Sequence, residues 1–567
     1  MALALADATS TVQLAAPNDS TPLPPALLRV VPSQESWASW INDICESEIG
    51  WLAQARELAE MHPGSASAHA RLAHAELLGG NERNAATAAR NALDRAAADF
   101  DGPAVSAALQ VSLACGDLEA FDEHAGLLSP QGIWAVLFAQ ADAMRGDTEG
   151  ALRKLSDAAD PVALSMRGWI WLSLRRYADA VRDFRSALRQ MGPAAEMLAN
   201  LGYAYGALGS LKKAVKATKQ ASILSPSSET IAFNLVSYFV HSGDHESALQ
   251  ELSRLSTYHG ESPGIALVQA DVLTAAGMLE RALKVLQRAR TWNDGSRSQA
   301  EIAANISFLE WRIGKLDRSA TMTALHRELI RCEYKSVGIA RMLASLLSHP
   351  TDLPQLEALY QGLAEVNDDE KLLSIQSMIA FLRRDFAAAT EFAEAWASAE
   401  PFNADAAQML TFLLADYYGD YRRAAKVGVA ALGRVPNSWM LANNVSYTLA
   451  LDGRIDEAKR FLPPSTVNPY IVATAALIEF LSGNTDRGVS GYERAAALAE
   501  ASGDDQLARL IRLRAFVLMR GQSLSFEEAR SIGDEPEGSD PRITLIWRQA
   551  DRLGVEWPFK NTGRLAD

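Results

Sequence analysis

The chain has 567 residues, of which 48% are hydrophobic and 7% aromatic, and its formal net charge is −15. This length exceeds one ordinary globular core and suits a long array of repeated units, and the apolar content excludes a disordered chain. An acidic chain lacks the basic face that neutralises phosphates, so we expect no nucleic-acid partner. The same charge is a poor match to an anionic membrane surface.

The cysteines and the amino terminus indicate a cytoplasmic protein. The three cysteines, Cys45, Cys115 and Cys332, lie far apart and have no metal-ligand or redox spacing, so we expect a reducing compartment and neither metal nor cofactor. The start of the chain has no basic residue before Arg29, and Asp7 interrupts its apolar run, so it does not resemble a secretory signal. No stretch approaches the roughly 18 apolar residues of a membrane span, and we expect no membrane insertion.

Residues 1–34 are rich in Ala, Thr, Ser and Pro and predict a flexible leader. Helical spacing of apolar residues begins near Ser36, and short glycine-containing turns then divide the chain into pairs of helical segments. Glycine ends a helix by adopting the left-handed conformation at little cost. The turn glycines are Gly80, Gly116, Gly146, Gly209, Gly243, Gly277, Gly314, Gly419, Gly453 and Gly483.

One pattern of small and aromatic residues occurs twice, 34 residues apart. Gly168, Trp171, Ala180, Phe184 and Ala187 recur as Gly202, Tyr205, Ala214, Thr218 and Ala221. A fixed period in the thirties predicts a solenoid of helix–turn–helix units, in which each unit buries its apolar face against its neighbours. The small residues would allow close approach of helices and the large ones would fill the remaining gap, so we expect these positions to form the core.

On these residues the chain resembles the tetratricopeptide repeat family over roughly residues 65–530. The match is best at 198–226, where Leu198, Leu201, Gly202, Tyr205 and the closing Pro226 stand at the family's positions. The resemblance implies an all-α, right-handed α-solenoid, and we count about thirteen repeats.

The regularity of the repeats predicts the organisation of the chain. Residues 35–319 form an N-terminal array whose best repeats lie at 162–290, and residues 320–372 are degenerate helical repeats with a helix–helix turn near 349–354. Residues 373–530 form a C-terminal array. The tail at 531–567 is acidic and turn-rich, and its apolar segment is expected to cap the last repeat, because a solenoid must cover its terminal face.

The resemblance places a peptide-binding groove on the first helices of the repeats. Asn200, Asn234, Asn305 and Asn444 share one phase of the first helix, and such a ladder could offer a donor and an acceptor to each peptide unit of a partner. The alternative is that these asparagines solvate the groove or bond the neighbouring helix. Side chains beside the ladder that could form pockets are Trp169, Tyr203, Phe233 and Ser237.

Signals of catalysis are weak along the whole chain. The metalloprotease HExxH, the CxxC pair, the GxSxG elbow and the phosphate-binding GxxxxGK[ST] are absent from the sequence. His241 and His245 have the spacing of two metal ligands on a helix, but the segment between them spans a repeat turn. We therefore expect no enzyme activity, no catalytic residue and no metal site.

The sequence thus indicates a non-catalytic scaffold or adaptor that binds a protein or peptide partner, with an Ala- and Arg-rich composition typical of bacteria. A second hypothesis is a regulatory sensor, in which a peptide or small ligand alters the superhelix and so controls a partner enzyme or transcription factor. Basic pairs at the turns could also dock an acidic partner, although helix-end stabilisation explains most of them. These pairs are Arg175–Arg176, Lys212–Lys213, Arg383–Arg384 and Arg422–Arg423.

Overall fold

The computed structural model describes residues 51–555, apart from 79–80, 99–100, 130–133, 158, 293–295 and 520–539. Within these residues the chain is all-α, with helices joined by short turns and without β-strands. The expected fold class is therefore confirmed. The leader predicted at 1–34 lies outside the described residues.

The helices are numbered here in chain order. They are α1 Trp51–Met61, α2 Ala66–Leu78, α3 Glu82–Ala98, α4 Gly102–Ala114, α5 Leu118–His124, α6 Ala135–Met144, α7 Thr148–Lys154, α8 Pro161–Ser173, α9 Tyr177–Met191, α10 Ala195–Ala207, α11 Leu211–Leu224, α12 Glu229–His241, α13 His245–His259, α14 Pro263–Ala275, α15 Leu279–Ala289, α16 Ser296–Arg312, α17 Arg318–Arg331, α18 Val337–Leu346, α19 Leu353–Ala364, α20 Asp369–Leu382, α21 Phe386–Ala399, α22 Ala404–Leu413, α23 Tyr421–Arg434, α24 Trp439–Leu451, α25 Ile455–Phe461, α26 Pro469–Leu481, α27 Thr485–Ala501, α28 Asp505–Leu518 and α29 Pro541–Leu553. From α2 to α27 they form consecutive helix–turn–helix pairs, in which the even-numbered helix is the first helix and the odd-numbered helix is the second.

The turns inside the pairs have the chemistry that the sequence predicts. Gly243 has a φ of +79°, which ends α12, and the Asp244 side chain caps α13 by accepting a hydrogen bond of 3.1 Å from the Ser247 amide. Two turns place an arginine in the left-handed region where the others place glycine, with φ of +58° at Arg175 and +64° at Arg384. Because such short turns reverse the chain, the two helices of a pair run antiparallel.

Contacts between Cα atoms divide the described chain into two units. The first unit holds residues 51–205 together with 216–225, and the second holds residues 206–215 together with 226–555. This division falls inside the segment predicted as the N-terminal array. The degenerate segment 320–372 contains the pair α18–α19, and a short 3-10 turn at Pro350–Asp352 stands where the sequence predicts a helix–helix turn.

In the first unit, glycine and alanine set the distance between α8 and α9. A methyl group added at Gly168 would lie 2.9 Å from the ring of Phe184, which is too close for two carbon atoms. Ala180 and Ala187 on α9 are completely buried, as is Phe184. The core role predicted for these positions is therefore confirmed.

The same helix pair encloses an ion pair at the position where the repeat pattern favours leucine. Arg167 donates to Asp183 through Nε at 2.7 Å and through Nη2 at 3.1 Å, and the Trp171 indole donates to the same carboxylate at 3.1 Å. The Asp183 side chain is only 3% exposed. Removing one partner of a buried pair leaves an uncompensated charge, which costs more than the net worth of the pair.

We predict that Asp183→Ala destabilises α8 and α9 by about 3 kcal/mol or more, because the Arg167 guanidinium then loses its buried counter-ion. The matched control is Asp179→Ala, which changes the same residue type one helix turn earlier. It breaks ion pairs with the exposed Arg176 and Arg182. Its cost should stay within about 1 kcal/mol. Native-state hydrogen exchange of the full chain measures both, and equal losses of protection would contradict the assignment.

The second unit contains a contact between helices that lie far apart in sequence. The ring of Phe402, just before α22, packs against α12, with its centroid 5.8 Å from that of Tyr238 and 5.7 Å from that of His241. Asn437 Nδ2 donates a hydrogen bond of 3.0 Å to the His241 carbonyl. A methyl group added at Gly206 would lie 2.7 Å from the Phe402 ring. The second unit is thus held by more than contacts between successive repeats.

We expect His241 to make this contact sensitive to pH. Its ring stacks on Phe402 at an interplanar angle of 5°, and burial lowers the pKa of His241 from 6.5 to about 4. Between these two pH values the unfolded chain binds a proton at His241 that the folded chain excludes. The contribution of His241 to the free energy of unfolding is therefore fully present above pH 6.5 and falls as the pH drops towards 4. The expected loss is about 1.4 kcal/mol for each pH unit in that window.

We predict that hydrogen-exchange protection of α12 falls between pH 7 and pH 5 in the parent chain, after correction for the intrinsic exchange rate. His241→Phe keeps a stacked ring but removes the titrating group, so its protection should fall less over the same interval. The variant serves as the control for every other titrating group in the chain. Identical pH dependence in the two proteins would show that the His241 ring is not the responsible group.

Candidate functional site

Each predicted asparagine lies on a first helix, as the repeat phase requires. Asn200 is on α10, Asn234 on α12, Asn305 on α16 and Asn444 on α24. Their side chains are enclosed by the helix packing, and the most exposed of the four, Asn444, has 5% of its surface accessible. A partner's backbone therefore does not reach these amides without a movement of the surrounding helices.

Asn305 shows what such an amide does in the packed state. Its Nδ2 donates a hydrogen bond of 2.9 Å to the Glu301 carbonyl, one turn earlier on the same helix. This bond satisfies a buried donor, which would otherwise carry a desolvation cost. The contact favours the architectural interpretation for Asn305, and the partner-binding role of the four asparagines stays a prediction.

Of the four side chains predicted beside the ladder, two are buried and two are partly exposed. Tyr203 in the first unit is buried and makes an edge contact with Tyr177, with ring centroids 6.2 Å apart. Phe233 in the second unit is buried in the apolar cluster around Leu252. Trp169 in the first unit and Ser237 in the second are half-buried and keep part of their surface accessible to a partner.

Of the basic pairs, Arg175–Arg176 and Arg383–Arg384 lie at turns as predicted, whereas Lys212–Lys213 and Arg422–Arg423 lie in the first turns of α11 and α23. Several of their charges are engaged within the chain. Arg176 bonds Asp179 and its guanidinium lies 4.0 Å from the Trp171 ring centroid. Arg383 pairs with Glu357 and Arg423 pairs with Glu394 in the second unit. These acidic side chains neutralise the positive charges to which an acidic partner would bind. They therefore weaken the hypothesis that the basic pairs dock such a partner.

The second unit carries a polar network that the sequence analysis does not predict. Arg514 on α28 donates to Asp416 Oδ2 at 2.6 Å and to the Tyr447 hydroxyl at 2.8 Å, while the Tyr447 hydroxyl donates to Asp416 Oδ1 at 3.3 Å. The Asp416 side chain is 1% exposed. Burial raises the pKa of Tyr447 well above its usual value, so this hydroxyl stays protonated and can donate.

Asp416 lies on a short π-helical turn, Leu414–Tyr418, at the end of α22. A π-turn widens the backbone and often marks a functional position. Here Arg552 of α29 donates to the Asp416 and Tyr417 carbonyls at 2.6 and 2.5 Å. The turn therefore supplies acceptors that hold the last described helix.

Helix α29 contacts the π-turn, the start of α23, α24 and α28 in the second unit. Besides the Arg552 contacts, Gln549 donates to the Tyr421 and Tyr447 hydroxyls at 3.4 and 3.3 Å, and Arg548 lies 4.5 Å from the centroid of Tyr417. Ile543, Ile546 and Ala550 of α29 also pack with the apolar side chains of α28. Helix α29, which lies in the tail, thus packs on α28 and reaches back as far as the π-turn, and the capping role expected for this segment stays a prediction.

A cleft that is partly open to solvent lies beside this network. Five helices line it through Tyr447, Tyr470, Ala473, Thr474, Tyr492, Leu507, Leu510, Ile511, Arg514, Arg542 and Ile546. A signal for this site does exist in the sequence, because Asp416 and Arg514 each interrupt an apolar segment, in LLADYY and IRLRAF. Only their common position in the fold shows that the two charges are partners.

Two negative findings apply to the described ranges alone. Within them, no three His, Cys, Asp or Glu side chains are grouped so that they could hold a metal ion. Nor does any helix among them combine the length and apolar character needed to cross a membrane.

Comparison with known proteins finds similarity to solved tetratricopeptide repeat structures. No family model and no curated protein matches the chain. Similar solved structures include a tetratricopeptide repeat protein of Parabacteroides merdae (13% identity, 52% of this chain and 98% of that one, TM-score 0.30). The Cut9–Hcn1 hetero-tetramer of the APC/C (12%, 88% and 89%, 0.45) and yeast Tom70 (13%, 70% and 96%, 0.28) are others.

Proposed function

We propose that this chain, a tetratricopeptide repeat protein by its fold, is a non-catalytic scaffold that binds a protein or peptide partner on its first helices. The observation that carries the proposal is the placement of Trp169. Its large ring stays half-buried on α8, while its helix neighbours Gly168 and Ile170 are buried in the repeat core. Partly exposed aromatic side chains on a rigid helix are the usual anchors of protein interfaces.

The proposal assigns different roles to the predicted site residues according to their burial. Trp169 and, in the second unit, Ser237 would contact the partner directly. The buried set would hold the first helices in the geometry that presents those contacts. This set comprises Asn200, Asn234, Asn305, Asn444, Tyr203 and Phe233.

Capture of partners from native cell extract tests the proposal in the first unit. Trp169→Ala should reduce capture of a specific partner about tenfold or more, since truncation of an interface anchor costs about 2 kcal/mol. Met191→Ala is the matched control, because Met191 is exposed at the end of the second helix α9. Capture that Trp169→Ala leaves unchanged, or that Met191→Ala reduces equally, would contradict binding on the first helix.

Asn200→Ala separates architecture from direct binding. Because the Asn200 side chain is only 3% exposed, we expect a loss of stability of about 1 kcal/mol and a smaller effect on capture than that of Trp169→Ala. Thermal unfolding and capture are measured on the same preparations. A variant with unchanged stability and strongly reduced capture would instead support a ladder that binds the partner backbone.

A further inference from the structure

We propose that the cleft between α24, α26, α27, α28 and α29 binds a small aromatic carboxylate. This inference is independent of the partner-binding role of the first helices. The cleft is partly open to solvent, and its lining is mostly apolar with a few polar side chains, which is the character of small-molecule sites.

The apolar walls suit one or two aromatic rings. Leu507, Leu510 and Ile511 line the cleft from α28, and Ile546 lines it from α29. The rings of Tyr447, Tyr470 and Tyr492 add further lining from α24, α26 and α27. Aromatic side chains prefer offset or edge-on contact with another ring, which a planar ligand provides and a flexible aliphatic one does not.

The lining combines two arginines, which only donate, with hydroxyl groups, which both donate and accept, and this set favours an anionic or strongly accepting ligand group. Among the residues that the structure describes, the lining includes Arg514 and Arg542 and no Asp or Glu. Arg514 uses one terminal nitrogen for Asp416 and the other for Tyr447, and a guanidinium has five N–H donors in all. It therefore retains donors after both of these bonds are made.

Tyr492 supplies a second donor near Arg514. Its side chain is 3% exposed, and no hydrogen bond joins its hydroxyl to another residue in the described part of the chain. Burial raises the pKa of Tyr492, while the nearby Arg514 charge opposes that shift, so the hydroxyl is protonated at neutral pH. A carboxylate placed between Tyr492 and Arg514 would accept from both groups.

A cationic ligand is disfavoured for the same reason. In the described part of the chain, Asp416 and Asp540 bond the lining residues Arg514 and Arg542, so these two carboxylate charges are already compensated. An ammonium group would meet guanidinium and hydroxyl donors and would gain no acceptor of opposite charge. The cleft should therefore distinguish an aromatic carboxylate from the amine of similar size.

The experiment uses the full chain and three aromatic carboxylates, namely benzoate, phenylacetate and indole-3-acetate, with 2-phenylethylamine and acetate as comparators. Ligand-observed NMR and calorimetry measure binding. We expect saturable binding of at least one aromatic carboxylate, with the amine and acetate binding at least tenfold more weakly. If none of the three carboxylates binds saturably, or if the amine binds equally well, the proposal is overturned.

Two variants locate the bound probe. Ala473→Leu adds bulk to the lining and should weaken the probe at least tenfold, whereas Ala501→Leu, at an exposed position on α27, should leave its affinity unchanged. Tyr492→Phe keeps the ring but removes one donor, and should weaken binding by roughly twofold to tenfold. Binding that survives both lining substitutions unchanged would place the probe elsewhere and overturn the assignment. If Ala473→Leu fails to fold, Tyr492→Phe alone decides.

Discussion

The structure depends on one constraint, which is that a single helix pair cannot bury its own apolar face. Each pair must pack on its neighbours, and the closeness of that packing is set by glycine and alanine. The contact of Gly168 with the Phe184 ring shows how little extra volume this packing accepts, since a single added methyl group would collide with the ring. The regular array, the buried asparagines and the exposed surface of the first helices all follow from this close approach.

The second unit departs from a chain of purely local contacts. Phe402 packs on α12, and α29 bonds the π-turn through Arg552. In simple repeat arrays, the free energy of unfolding is the sum of the intrinsic stabilities of the repeats and the energies of the interfaces between neighbouring repeats. The additional contacts couple distant repeats, so the second unit should unfold more cooperatively than an array of the same length. The packing of α29 also forms the cleft, because this helix supplies one of its walls.

Much of the fold could be predicted, because the same pattern of packing residues recurs in successive repeats. Turn glycines, the caps that follow them and the core alanines are local signals, and they located the helix pairs. The site was harder, since burial of Asn234 or Tyr203 depends on side chains contributed by other helices. The Asp416–Arg514 pair joins residues about one hundred positions apart, and periodicity carries no information on such a pairing.

The central claim is that the first helices present the binding surface while the second helices support them. Hydrogen–deuterium exchange of the full chain, with and without a captured partner, tests this claim most directly. The account predicts that the partner adds protection at exposed first-helix positions, including peptides from α8, and little on α9. Protection confined to second helices or to the turns between helices would contradict it.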